Sequence, residues 1–288
     1  AFDVLREGAG GAPVIDITSL FTTRPPAGFA LDFKRHYRMA RVDGSRSLVR
    51  SVRTFPSNIA IDFYQTWVPQ EQDLLKPGKD QDPPPASLGF QFTTNFLLLP
   101  ERPMDARCED ERVGYFSIPF NAITRYRLEK KDPGAASSEP VTPIVFYLTP
   151  EIPDKWRPYI KQAVEMWQGP LEQAGFRNAI LARDAPTREE DPEWDPGDLR
   201  SSVIRWAPGP RENALGPAVV DPRSGEVISS HTLIWHDALR LAELWYFTQV
   251  APLDPRARNL PLPDDLEGEL LRYVVAHEIG HALGLRHN

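Results

Sequence analysis

The segment His277-Glu278-Ile279-Gly280-His281-Ala282-Leu283-Gly284-Leu285-Arg286-His287 constrains this chain more than any other stretch, because each fixed position has its own chemical job. On an α-helix, residues four apart share a face, so His277 and His281 can point their imidazoles at one ion. Glu278 sits on the same turn and can reach a metal-held water as general base. Gly284 lets the backbone leave the helix through a left-handed conformation that costs other residues more. That turn can swing His287 back as a third ligand. Three imidazoles and one open position make the layout of a catalytic zinc site, not of a closed structural one.

The residues ahead of the motif predict a helix of about eighteen to twenty residues. Leu266, Leu270, Leu271, Val274, Val275, Ile279 and Leu283 recur at three- and four-residue spacing. Asp264, Asp265 and Glu267 lie where acidic residues suit the helix dipole, and Pro261 and Pro263 come just before. The apolar stripe is expected to pack on a core while His277 and His281 face a cleft.

The motif resembles that of the metzincin clan of zinc metallopeptidases. Further stretches are similar to a bacterial met-zincin family: Arg112-Val113-Gly114-Tyr115-Phe116, Ala174-Gly175-Phe176-Arg177-Asn178-Ala179, Gly216 to Glu226, and Gly284-Leu285-Arg286-His287-Asn288. Members of that family carry a large N-terminal region of uncharacterised function ahead of the peptidase domain. The resemblance runs roughly from Ser45 to Asn288. It implies a zinc-dependent endopeptidase acting on a peptide or protein substrate. Zn2+ would be held by His277, His281 and His287, and a metal-activated water would attack the scissile carbonyl. Glu278 would take that water's proton as general base and pass it to the leaving amine.

The resemblance also implies a methionine turn well after the third histidine. Met39, Met104 and Met166 all lie upstream of it, so the lower part of the catalytic domain, with its S1′ wall, is expected to lie outside this chain. Some metzincin zymogens block zinc with a cysteine or aspartate, a role open to Cys108 or Asp110. Secreted or periplasmic localisation follows from the resemblance alone, since Ala1 opens no signal peptide. Two other functions compete. One is a non-catalytic binding module whose zinc site is structural; the other is a zinc amidase acting on cell-wall peptides.

Composition narrows the partners. A chain of 288 residues suggests two domains or one large one, and 41% hydrophobic residues suffice for a core. No window of eighteen apolar residues suggests a membrane span. A net charge of −7 without a dense Lys/Arg patch argues against nucleic acid. The single cysteine, Cys108, rules out an internal disulfide.

The pattern along the chain predicts an α+β fold in two domains. Residues 1–140 read as β-rich, with strands at Val14–Thr18, Ile59–Tyr64, Phe90–Phe96 and Val113–Ile118, and weaker ones around Phe33–Tyr37 and Leu48–Phe55. Lys130–Pro140 has linker composition. Residues 141–288 are expected to form the upper half of a metzincin-like catalytic domain: a mixed twisted sheet with helices, the zinc helix last. Strands are predicted at Ile144–Leu148, Ala179–Ala182 and Val203–Trp206. A hairpin of Ala214–Val220 and Val227–Trp235 flanks the turn signal Asp221–Gly225. Helices are predicted at Lys155–Ala174, kinked near Gly169-Pro170, and at Asp237–Phe247. By the resemblance, Ala214–Val220 is the antiparallel edge strand above the cleft, and Gly216, Ala218 and Val220 are candidate substrate contacts.

Weaker signals read as structural. The acidic run Glu189–Asp198 offers carboxylates to calcium but follows no known loop template, so a solvated loop is expected. His36, His231 and His236 stand apart from the motif. Trp156, Trp167, Trp206, Trp235 and Trp245 are expected in the core.

Overall fold

A computed structural model of the chain describes residues 4–24, 38–69, 85–107, 123–209 and 211–287. Internal contacts divide it into two compact units, Ala1–Leu98 and Leu99–Asn288. Cys108, Asp110, His36 and the strands expected at 33–37 and 113–118 lie outside the described residues.

In the first unit, a small antiparallel pair joins β1 (Val4–Glu7) to β2 (Pro13–Ile15). The strand expected to run on to Thr18 stops at Ile15. There Asp16 Oδ1 accepts from the Thr18 N–H at 2.8 Å, and a short helix α1 (Thr18–Thr22) begins. An Asp side chain that bonds the backbone two residues on turns the chain rather than extending it. Three antiparallel strands follow in the order β3 (Arg41–Thr54), β4 (Asn58–Val68), β5 (Leu88–Leu97). The central strand β4 carries the buried side chains, and Phe63 packs on Phe21 and Phe92 with ring centroids 5.1 and 5.4 Å away. β3 reaches back to Arg41, beyond the strand expected at 48–55. Its many exposed polar residues hide the strand in sequence, and pairing with β4 supplies the backbone partners.

The second unit is built on a six-stranded sheet. Its strands are β6 (Ile144–Leu148), β7 (Ile180–Asp184), β8 (Ser202–Ala207), β9 (Ala214–Leu215), β10 (Ala218–Val220) and β11 (Val227–Trp235). β7, β6, β8 and β11 run parallel, while β9 and β10 pair antiparallel with β11 at the sheet's edge. The alternation of β6 sends Ile144, Phe146 and Leu148 to one face. That face meets Trp156 and Ile160 on one side, and Leu271, Val275 and Ile279 on the C-terminal helix. Each such fully buried side chain contributes on the order of 1.5–3 kcal/mol.

The predicted helix at 155–174 is broken earlier than the Gly169-Pro170 signal suggested. α2 (Arg157–Glu165) ends before Met166, and α3 (Gln168–Gln173) starts afresh. The proline ring at 170 conflicts with the carbonyl four residues back, that of Met166, so continuity fails there. Gly175, at φ 89°, then ends α3, and the Phe176 N–H reaches the Leu171 carbonyl at 2.8 Å. Residues 130–140, expected as a linker, form an ordered arm within the second unit. The Lys131 N–H donates to the Glu139 carbonyl at 2.9 Å, and Lys130 Nζ donates to the carbonyls of Ala135 and Ala136.

The hairpin forms around Asp221–Gly225, but its first arm is interrupted at Gly216-Pro217. Pro217 has no N–H to give a ladder. Its carbonyl instead accepts from the His231 N–H at 3.2 Å and from Ser230 Oγ at 2.8 Å. The chain closes with α4 (Asp237–Val250) and α5 (Asp264–Ala282), the 19-residue helix that the apolar repeat predicted. Among the described residues no helix is long and apolar enough to cross a membrane.

Candidate metal centre

The apolar repeat of α5 divides between two faces. Leu271, Val275, Ile279 and Ala282 enter the sheet-facing core. Leu270, Val274, His277 and His281, spaced by four, three and four residues, form a second stripe that shares one side of the helix. Leu270 and Val274 therefore lie on the imidazole face and line a cavity apart from the sheet-facing core, and Leu270 also packs against a second buried cluster of Ala257, Leu262 and Leu266.

The end of α5 is a two-bond turn. The Leu285 N–H donates to the Gly280 carbonyl at 3.0 Å, and the Gly284 N–H to that of His281 at 2.9 Å. Gly284 takes φ 101°. This is the C-terminal cap that glycine favours. A Cβ there would also collide with the Thr124 carbonyl oxygen, so the position excludes side chains twice over. The turn brings His287 back over the helix.

The three imidazoles converge. The Nε2 atoms of His277, His281 and His287 lie 3.0 Å from one another in all three pairs. An imidazole nitrogen either donates or accepts, never both. Three mutual contacts therefore cannot all be hydrogen bonds, and a cation shared by three lone pairs satisfies them together. A tetrahedral zinc ion with Zn–N bonds of about 2.0–2.1 Å sets its ligands roughly 3.3–3.4 Å apart, so the triangle fits such an ion with a slight widening. His281 Nδ1 lies 2.9 Å from the Leu285 carbonyl oxygen. A carbonyl can only accept, so the Nδ1 proton is held there and the Nε2 lone pair is left for a metal.

Glu278 lies on the next position of the helix and is only 9% exposed. Among the described residues its carboxylate has no hydrogen-bond or ion-pair partner. Gly216 packs on this turn: a Cβ at 216 would collide with the Glu278 carbonyl oxygen. Ala218 and Val220 lie on the half-buried edge strand β10, with no strand beyond it among the described residues. Trp167 supports the helix from behind, its Nε1–H donating to the Ala276 carbonyl at 3.0 Å.

The remaining candidates lie elsewhere. Among the described residues His277, His281 and His287 are the one group of three or more His, Cys, Asp or Glu side chains placed to share an ion. In the run 189–198, Asp191 and Asp195 accept from the N–H groups of Glu193 and Gly197, and Asp198 pairs with Arg200, so the carboxylates do not converge on calcium. Trp156 and Trp206 are buried, but Trp245, expected in the core, is 63% exposed on α4. A helical tryptophan reads as core in sequence, and only the neighbouring helix shows which side it presents. Sequence reasoning also missed the Leu285 and Thr124 carbonyls, and it placed Trp167 in the core without its bond to the Ala276 carbonyl. Backbone acceptors leave no mark in residue types.

Residues 1–131 match a family model described as a domain of unknown function (DUF5117), and residues 259–288 match one described as Met-zincin. No curated protein and no solved structure matches the chain.

Proposed function

The chain joins a DUF5117 region to a Met-zincin segment, consistent with a metzincin-type metallopeptidase carrying an uncharacterised N-terminal domain, and from that premise we propose that it is a zinc-dependent endopeptidase. The observation that carries this reading is the mutual 3.0 Å approach of the Nε2 atoms of His277, His281 and His287, with Glu278 at the next helix position after His277. His277, His281 and His287 would hold the zinc ion. When bound, zinc supplies Lewis acidity, which polarises a scissile carbonyl and brings the pKa of a water towards neutrality.

The chain's own residues do the rest. Glu278 takes the proton of the attacking water on its carboxylate and delivers it to the nitrogen of the leaving amine. Water is the nucleophile, so no serine or cysteine is needed. The Leu285 carbonyl fixes the tautomer of His281. The exposed edge at β10 can take an extended substrate as one more strand, with Ala218 and Val220 along it and Gly216 beside Glu278. An antiparallel edge strand and a motif-bearing helix packed on one mixed sheet support a metzincin-like reading of the fold.

The test compares the wild type with Glu278→Gln, measuring bound zinc by elemental analysis and cleavage of an unstructured protein. The variant is expected to keep zinc and lose cleavage by orders of magnitude. Wild-type rates in the variant, or a purified protein without zinc, would overturn the proposal. A fourth protein ligand seen by X-ray absorption would favour a structural ion. Cleavage of cell-wall peptides alone would favour an amidase.

A further inference from the structure

Residues 123–127 run as a strap against the turn that ends α5. The main chain of Thr124 fills the space where a Cβ of Gly284 would stand, so the strap forms the outer wall of that turn. From the helix side, the Leu285 N–H ties the same turn to the Gly280 carbonyl. The turn is thus held between helix and strap, and His287 follows Gly284 by three residues with no helix or strand of its own. What fixes Gly284 therefore fixes the third imidazole.

Glu226 secures the strap at two places. Its flanking peptide groups hold Arg125. The Arg125 N–H donates to the Gly225 carbonyl at 3.0 Å, and the Arg125 carbonyl accepts from the Val227 N–H at 2.9 Å. Its carboxylate holds Arg127, whose Nε and Nη2 donate to Oε1 and Oε2 at 2.8 and 2.7 Å. Two parallel bonds from one guanidinium fix orientation as well as distance. Glu226 is 7% exposed, so its charge depends on this pair. Tyr126, between the two arginines, packs on the core, and its hydroxyl lies 3.2 Å from Ser202 Oγ.

We propose that Glu226 is a positioning residue of the metal centre: through the Arg127 pair and the Arg125 bridge it keeps Thr124 against Gly284, and so keeps His287 within reach of an ion held by His277 and His281. The inference rests on the zinc reading above and adds to it a support outside the motif, at the hairpin turn. Glu226 itself lies outside the histidine cluster, so it acts only through the strap. Without the pair, a buried charge loses its partner and the strap shifts to reach water. Gly284 then gains room on its outer side, and the turn samples positions that carry His287 away from the ion. Loss of such outer support lowers metal affinity on the order of 10–100-fold. A contact that serves only the fold would lower stability and leave metal affinity alone.

The test uses the full chain with Glu226→Gln, Arg127→Lys, His287→Ala, and Glu226→Gln combined with His287→Ala. Glu226→Gln keeps the shape and removes the charge. Arg127→Lys keeps the charge and removes the fork, and it is the milder change should the first variant not fold. Zinc affinity is read by competition with a chelating dye, and coordination by the visible absorption of the cobalt(II)-substituted proteins. Glu226→Gln is expected to bind zinc about tenfold more weakly or worse, and Arg127→Lys to fall in the same direction. The cobalt spectrum of each should move towards that of His287→Ala. In the His287→Ala background, Glu226→Gln should change zinc affinity by less than about twofold, because the ligand it positions is gone. An equal loss in that background overturns the proposal, as do wild-type zinc affinity and an unchanged cobalt spectrum in every folded single variant. Cleavage of an unstructured protein is followed separately. Cleavage by the wild type with zinc affinity indifferent to the substitutions removes the support and keeps the peptidase. The expected affinities in a wild type that cleaves nothing keep the support and remove the peptidase.

Discussion

Gly216 presses its backbone directly on that of Glu278, so that a Cβ at 216 would overlap the Glu278 carbonyl oxygen. The edge arm and the motif helix thus meet main chain to main chain, and neither has a flexible side chain that could yield. Gly216→Ala is expected to cost about 1–3 kcal/mol, the usual penalty of overpacking. Thermal unfolding should show it as a melting temperature lower by roughly 2–4 °C per kcal/mol. A melting curve superimposable on that of the wild type would contradict the close approach.

Gly284→Ala is expected to act on the metal rather than on the core. A residue with a Cβ pays about 1–2 kcal/mol in the left-handed conformation, and here it would also strike the Thr124 carbonyl. The same turn carries the Leu285 carbonyl that fixes His281, and it carries His287 itself. Loss of such supporting geometry lowers metal affinity on the order of 10–100-fold. Competition with a chelating dye measures it, and an unchanged zinc affinity would show that the turn tolerates a side chain.

How far the sequence reached depends on where each signal resides. His277, Glu278 and His281 were legible because helical spacing alone puts them within about one turn, and His287 because Gly284 marks where the chain leaves the helix and turns back. β6 and β11 were legible because apolar residues run through them in strand fashion between turn signals. The break at Met166 was displaced because a proline acts on the carbonyl four residues before it. The edge arm was read as one strand because neither the missing N–H of Pro217 nor the contact at Gly216 alters hydrophobic pattern. Trp245 was misplaced because α4 is apolar on more than one side, and only the position of α5 decides which side stays open.

Trp167 offers a test of support from behind the motif. Its indole N–H reaches the Ala276 carbonyl at 3.0 Å, and its ring packs against Gly280. Trp167→Phe keeps most of the packing and removes the hydrogen bond, at a cost of about 0.5–1.5 kcal/mol. Trp167→Ala also leaves a cavity, and about 3–5 kcal/mol is expected. Denaturant titration distinguishes the two, and equal losses would mean that the hydrogen bond, not the ring, holds the helix.

His231 predicts how stability responds to acid. It lies in β11, and its Nε2 has no hydrogen-bond partner among the described residues. Burial, reinforced by the Arg205 guanidinium, holds its pKa below the ordinary value of 6.5. In the unfolded chain the imidazole takes up a proton near that ordinary value, whereas the folded protein resists it. Below it the unfolded state therefore binds more protons, and acid favours unfolding. The contribution is fully present above 6.5 and is lost as pH falls towards the depressed folded value. Measured with a chelator present, so that zinc release plays no part, the denaturation midpoint should fall between about pH 7 and about pH 5. His231→Gln should flatten that fall relative to the wild type. Parallel curves for the two proteins would show that this imidazole takes its proton as readily folded as unfolded.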